Sequence, residues 1–215
     1  MKLKVCGMKF KDNMEVVAAL GPDYMGFIFY RGSKRFFEGI LPELDDSIRK
    51  MGVFVNEELS EVVRKVNEYK LQGVQLHGDE DVTYCRALRK ELAEKATETE
   101  LIKVFSVGDT LQMKELESYQ GLCDYFLFDT LGKERGGTGM KFNWNALADY
   151  DLSTPYLLSG GIGPDDAESL IRFFRTPSSG ACIGVDVNSK FEDSPGLKNI
   201  EKLKRFIEDI KEIRP

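Results

Sequence analysis

The chain alternates short apolar runs with segments of helical periodicity, and this alternation limits the folds open to it more than any other feature. Eight of these runs are strand-like, namely LKVCG, YMGFIF, MGVFV, GVQL, LIKVF, YFLFD, PYLLS and CIGVDV. Most of the intervening segments have apolar residues three and four positions apart, as amphipathic helices do. Strands that alternate with helices pair in parallel, and eight of them fit a sheet that closes on itself. We therefore predict an α/β fold, a single (β/α)8 TIM barrel domain over residues 1–215 with a parallel eight-stranded core.

Two of the helical segments are weakly patterned. They lie near ELDDSIRK, after the second strand, and near NWNALADY, after the sixth. An open, doubly wound sheet is the competing fold, but its usual phosphate-binding signature GxGxxG does not follow the first strand. The barrel is therefore favoured. The stretch TPSSGACIG leaves the first residue of the eighth strand undefined.

Composition and charge exclude several classes of function. Acidic residues outnumber basic ones by 36 to 30, so the chain lacks the basic excess typical of nucleic-acid-binding proteins. No apolar run approaches the length of a membrane span. The four cysteines are scattered without a CxxC pair, which argues against a zinc site and against a disulfide framework. We expect a soluble, cytoplasmic protein with no nucleic-acid partner, no membrane partner and no bound metal.

Polar side chains fall at the ends of several predicted strands. In a barrel the catalytic face is built from the loops that follow the strands. The alternation of side chains along a strand places Lys4 and Cys6 on one face, Gln75 and His77 on one face, and Asp186 opposite its apolar neighbours. If the apolar faces pack against helices, these polar residues point into the barrel and toward one mouth.

Asp129 ends the sixth strand, whose remaining residues are largely apolar. A carboxylate is costly inside a core without partners, so a position at the mouth of the barrel is reasonable. The alternative is that Asp129 only caps the loop that follows, and the spacing alone does not separate the two.

Two stretches suit a phosphate group. Ser159-Gly160-Gly161 follows the seventh strand and exposes backbone amides, and Asn188-Ser189 follows the eighth strand and offers further donors. Barrel enzymes frequently bind phosphate at these two loops. The sequence GGTG at 136–139 is glycine-rich enough to form a loop that closes over a ligand, or else a plain solvent turn.

Seven segments together resemble the phosphoribosylanthranilate isomerase family. They are KVCGM, GFIFYRGSKR, GVFVNE, VQLHGDE, LFDT with GGTGMKFNW, LSGGI, and GVDVNSKFE followed by PGLKN. The resemblance implies a cofactor-independent Amadori rearrangement of N-(5'-phosphoribosyl)anthranilate to 1-(2-carboxyphenylamino)-1-deoxyribulose 5-phosphate, in tryptophan biosynthesis. It also implies a small-molecule phosphosugar as the ligand and a monomer or homodimer as the assembly.

The resemblance also implies roles for individual residues. Cys6 is the expected general base and Asp129 the expected general acid, with the pKa of the thiol lowered, with help from Lys4, and that of the carboxyl raised. The other expected contacts are those to the anthranilate carboxylate (Arg35), to the rest of the substrate (His77 and Asp186) and to the phosphate (Gly160, Gly161, Asn188 and Ser189). Lys190 stands where many relatives have glycine, which bears on how closely the backbone approaches the phosphate.

Three alternatives stay open on the sequence alone. Other phosphosugar barrels share the phosphate loops, but those that use several metal-binding histidines do not fit a chain with one histidine. A bifunctional isomerase would need a second phosphate site after strand three or four, where no glycine pair occurs. A non-catalytic sensor on the same barrel is the third. Cys85, Cys123 and Cys182 are expected to pack in the structure without a chemical role.

Overall fold

Eight parallel strands form a closed barrel in the order of the sequence, as predicted. The computed structural model describes residues 1–94, 98–130 and 143–213. The strands are β1 (Lys2–Val5), β2 (Tyr24–Ile28), β3 (Arg49–Phe54), β4 (Gly73–Leu76), β5 (Glu100–Val107), β6 (Tyr125–Thr130), β7 (Tyr156–Leu158) and β8 (Cys182–Val187). Each lies in or overlaps one of the predicted runs, and the eighth begins at Cys182.

The helices surround the barrel. They are α1 (Lys11–Ala18), α2 (Leu59–Tyr69), α3 (Val82–Glu94), α4 (Met113–Glu117), α5 (Ala167–Phe174) and α6 (Ile200–Asp209). A short antiparallel hairpin, β9 (Glu192–Ser194) and β10 (Leu197–Lys198), follows β8. Among the described residues, no helix combines the length and the apolar character that crossing a bilayer requires.

The two weakly patterned segments do not form α-helices. Residues 29–48, between β2 and β3, are loop and turns, and the described residues between β6 and β7 form a 3₁₀ turn at Trp144–Leu147 and no α-helix. In the first segment the Asp45 carboxylate accepts hydrogen bonds from the Ser47 amide and hydroxyl, at 2.9 and 2.6 Å. Such local bonds compete with a helical backbone, which accounts for the turn.

Apolar and polar side chains together fill the barrel interior. The apolar ones include a cluster of buried side chains: Tyr24, Met51, Ile102, Val104, Leu127 and Leu157. Lys4 is level with Tyr24, and Gln75 is level with Ile102, so both polar residues point inward, as the alternation predicted. Buried Lys4, Gln75 and Asp186 therefore face the interior instead of the helices.

Strands β1 and β8 close the barrel along a seam that also carries polar residues. Lys4 lies opposite Asp186 in the register, and the Cys6 amide continues the ladder by donating to the Val187 carbonyl at 2.9 Å. The first and last strands thus meet directly beneath the barrel mouth.

Candidate active site

A cavity opens at the carboxyl ends of the strands and encloses about 750 Å³ of empty space, counted out to its open mouth. Eight of the nine predicted site residues line it, namely Cys6, His77, Asp129, Gly160, Gly161, Asp186, Asn188 and Ser189. They come from the ends of five different strands and meet only because the barrel brings those ends together. The predicted loop at 136–139 lies outside the described residues.

The Cys6 thiol is buried at the bottom of this cavity. Gly26 of β2 makes room for it, since a Cβ atom there would lie 2.8 Å from the Cys6 sulfur. Burial raises the pKa of the Cys6 thiol above its ordinary value, and the nearby Lys4 ammonium acts against that rise without cancelling it. The expectation of a lowered pKa is therefore wrong for the unliganded site, because desolvation outweighs the lysine.

Lys4 and Asp186 form an ion pair inside the barrel, with 2.9 Å between Nζ and Oδ2. Burial alone lowers the pKa of Lys4, but Asp186 and Cys6 together raise it above its ordinary value, so the lysine is charged. The second carboxylate oxygen, Asp186 Oδ1, has no hydrogen-bond partner among the described residues, and the same holds for Gln75 Oε1. Both residues line the cavity, although these two oxygens are themselves buried.

Opposite substitutions in this pair should move the pKa of Cys6 in opposite directions. Lys4→Met removes the charge that favours the thiolate and is expected to raise the pKa, whereas Asp186→Asn removes a charge that disfavours it and is expected to lower it. The measurement is the pH dependence of alkylation at Cys6, read by peptide mass spectrometry. Shifts in the same direction, or no shift in either variant, would contradict this electrostatic account.

Asp129 satisfies both readings that the sequence left open. Its Oδ1 accepts the Thr130 amide at 2.8 Å, which is a local capping bond, and its carboxylate also faces the cavity. The other oxygen, Oδ2, lies 3.4 Å from His77 Nε2. Gln75 Nε2 lies 3.1 Å from His77 Nδ1, so the imidazole next to Asp129 is itself held in place.

Glycines after β7 line the cavity next to Asp129. Gly160 and Gly161 have φ values of 85° and 66°, in the left-handed region that favours glycine. A Cβ atom on Gly160 would lie 2.2 Å from Thr130 Oγ1 and 3.0 Å from Asp129 Oδ1. The backbone here approaches β6 too closely for any side chain. Lys190 is exposed and does not line the cavity.

Substitution of Gly160 by alanine should impair both stability and substrate binding. The clash with Thr130 and the left-handed backbone together are expected to cost about 2–4 kcal/mol of unfolding free energy, and KM should rise. Gly121→Ala is the matched control, because Gly121 has a φ of 73° and nothing within 4 Å of its Cβ position. Denaturant unfolding and steady-state kinetics measure both effects, and equal losses in the two variants would show that backbone strain alone matters.

Arg35 is the one predicted residue outside the cavity lining. Its guanidinium lies against Glu192 of β9, with 2.7 Å between Nη2 and Oε2. Two of its neighbours, Ser33 and Asn188, do line the cavity, so the arginine stands behind its rim. Cys85, Cys123 and Cys182 are buried and absent from the lining, as expected. The described residues contain no group of side chains arranged to hold a metal ion.

One part of the cavity was missed by sequence reasoning. An apolar wall is formed at the ends of β2 and β3 by Ile28, Tyr30, Val53 and Val55. The available signal was that these two strands continue in apolar residues where the other strands end in polar ones. Such a wall suits the face of an aromatic ring.

Acid–base groups at the barrel mouth and the tight glycine turns after β7 beside them define an enzyme of the (β/α)8 class that acts on a small phosphorylated molecule. The model of the family described as N-(5'-phosphoribosyl)anthranilate isomerase matches residues 3–209. The N-(5'-phosphoribosyl)anthranilate isomerase of Parabacteroides distasonis is 44% identical, over 98% of this chain and 93% of that protein.

Comparison with solved structures points to the same family as the sequence comparisons. The phosphoribosylanthranilate isomerase of Thermotoga maritima superposes with a TM-score of 0.83 at 31% identity, covering 99% of each chain. A phosphoribosylanthranilate isomerase in complex with reduced 1-(o-carboxyphenylamino)-1-deoxyribulose 5-phosphate superposes with a TM-score of 0.79 at 29% identity, again over 99% of each chain. This chain therefore belongs to the N-(5'-phosphoribosyl)anthranilate isomerase family, the intramolecular isomerases of tryptophan biosynthesis.

Proposed function

We propose that this chain isomerises N-(5'-phosphoribosyl)anthranilate with Cys6 as general base and Asp129 as general acid. The observation that carries the proposal is that both side chains line one cavity, together with the glycine turns that suit a phosphate. One bound pentose can then be reached by a thiol and by a carboxyl group.

The acid step opens the ribose ring. Asp129 gives a proton to the ring oxygen as the bond from that oxygen to the anomeric carbon breaks, and the lone pair of the anthranilate nitrogen forms the Schiff base. The Thr130 amide and His77 hold the Asp129 carboxyl group in place, and the group faces the cavity.

The base step removes the proton from the second carbon of the sugar. The protonated Schiff base makes this proton acidic, and the Cys6 thiolate accepts it to leave an enolamine, which tautomerises to the ketone. Because burial raises the pKa of the free thiol, the base step starts from the thiolate fraction, whose proton has passed to solvent before the substrate binds. Lys4, charged and adjacent, is the group that favours the thiolate when it forms. Nothing in these steps requires a metal or cofactor.

The rest of the cavity accounts for the other parts of the substrate. Gly160, Gly161, Asn188 and Ser189 are proposed to hold the phosphate through backbone and side-chain donors. The unpartnered Asp186 oxygen suits a sugar hydroxyl, with His77 beside it on the cavity wall. The apolar wall suits the aromatic ring, and Arg35 is proposed to bind its carboxylate as a planar fork.

Turnover by the purified protein tests the proposal. Substrate made from anthranilate and the sugar phosphate is fluorescent, and its loss on addition of the protein is the expected result. A sensor on the same fold would bind the substrate without consuming it, and that outcome would overturn the proposal. We also propose that residues 1–215 act as one domain in the cytoplasm, as a monomer or homodimer.

A further inference from the structure

The Arg35 guanidinium is held by a buried carboxylate that no part of the proposed mechanism uses. Arg35 Nε donates to both oxygens of Glu192, at 2.9 and 3.0 Å, and Nη2 donates to Oε2 at 2.7 Å. The Glu192 side chain is only 4% exposed. This side-on contact uses one edge of the fork and leaves Nη1 and the outer hydrogen of Nη2 for another acceptor.

A second buried cation fixes the same carboxylate from the other side. Lys198 of β10 is fully buried, and its Nζ lies 2.7 Å from Glu192 Oε1 and 2.8 Å from Asn188 Oδ1. Burial raises the pKa of Glu192, but Arg35 and Lys198 outweigh burial and hold that pKa below its usual value. Burial lowers the pKa of Lys198 itself, with Glu192 acting against that fall. In this cluster of three side chains, the geometry therefore shows one buried carboxylate held between two cationic side chains.

The cluster lies between the residues proposed to bind the phosphate and the arginine proposed to bind the aromatic carboxylate. Asn188, which Lys198 contacts, lines the cavity after β8, and Arg35 lies behind the rim formed by Ser33. Gly7, the residue after Cys6, separates them, since a Cβ atom there would lie 2.6 Å from Asn188 Oδ1 and 2.7 Å from Arg35 Cδ. The hairpin β9–β10 thus ties the arginine to the loop after β8.

We propose that Glu192, anchored by Lys198, is a positioning residue that orients Arg35 toward the substrate's aromatic carboxylate and so sets the preference for an anthranilate-bearing sugar over an aniline-bearing one. This assignment rests on the proposed function. Glu192 makes no contact with the substrate and acts through the arginine. Without it the guanidinium is free to rotate, and a bidentate contact loses its geometry.

The test compares Glu192→Gln with the native protein on two substrates, phosphoribosylanthranilate and the same sugar phosphate joined to aniline. We expect the ratio of the two kcat/KM values to fall about tenfold through a higher KM for the anthranilate substrate, as loss of a charge-assisted contact predicts. The aniline substrate should react as before. Glu168→Gln, at an exposed glutamate that also pairs with an arginine, is the control and should leave both values unchanged.

If Glu192 had only a structural role, its replacement would lower kcat/KM for both substrates in the same proportion. That result, in which the ratio of the two values is unchanged, would overturn the proposal. In an Arg35→Met background the preference should already be lost, with no further effect of Glu192→Gln. If Glu192→Gln does not fold, Glu192→Asp keeps the charge but cannot span both donors, so it should reduce the same ratio. Failure of the native protein to turn over either substrate would instead reject the proposed function, and this assignment with it.

Discussion

Replacement of Cys6 by serine is expected to lower kcat by about 10²–10⁴-fold, the usual contribution of a general base. The hydroxyl occupies nearly the same volume as the thiol, so the cavity and the barrel seam should be retained. Serine is far harder to ionise than cysteine. Even with Lys4 nearby, the variant therefore lacks an effective base. Steady-state kinetics by fluorescence give the loss, and the melting temperature confirms folding.

A deuterium label on the second sugar carbon tests whether Cys6 acts in the proton-abstraction step. In Cys6→Ser, proton abstraction becomes slower relative to other steps, so the isotope effect on kcat should grow. Cys182→Ser is the matched control, because Cys182 is also a buried strand cysteine but lies outside the cavity. Activity retained by Cys6→Ser at the native level would remove the thiol from the mechanism.

Asp129→Asn should cause a loss of similar size, about 10²–10⁴-fold in kcat, because an amide has the shape of the carboxyl group but cannot transfer its proton. The Thr130 amide can still donate to the asparagine oxygen, so the local cap is preserved. The dissociation constant for a reduced product analogue, measured by calorimetry, should change little, since ring opening is not part of its binding.

The isotope effect of the same deuterium label distinguishes Asp129→Asn from Cys6→Ser. With ring opening made slow, the isotope effect at the second carbon should shrink toward unity, opposite to its growth in Cys6→Ser. Asp209→Asn, on the outer helix α6, is the control for loss of a carboxylate and should retain full activity. A strong isotope effect in Asp129→Asn would assign the carboxyl to a different step.

Much of the fold was predictable because barrel strands are buried on both faces and separated by helices. Such strands are short apolar runs that a single sequence displays directly, as in YFLFD. The segment at ELDDSIRK shows the limit. Its turn depends on Asp45 bonding to Ser47, a local choice that periodicity does not report. The hairpin β9–β10 was missed because its strands are only three and two residues long.

The site residues that lie at the carboxyl ends of the strands were predictable from the sequence. Cys6, His77, Asp129 and Asp186 converge because parallel strands point their carboxyl ends one way. The contact of Arg35 with Glu192 joins residues 157 positions apart and has no signature in either segment. The direction of the Cys6 pKa was also beyond the sequence, because it depends on how far the thiol is removed from water and not on which charge lies next to it.

The seam between β1 and β8 has a consequence for how the enzyme matures. Lys4 and Cys6 are synthesised before the rest of the barrel strands, whereas Asp186 and the Val187 carbonyl that complete their surroundings belong to its eighth strand. A nascent chain that has not yet released its final strand leaves that lysine without its counter-charge. The polar seam is therefore assembled only when the barrel closes, so a chain that still lacks β8 holds the Cys6 thiol in incomplete surroundings.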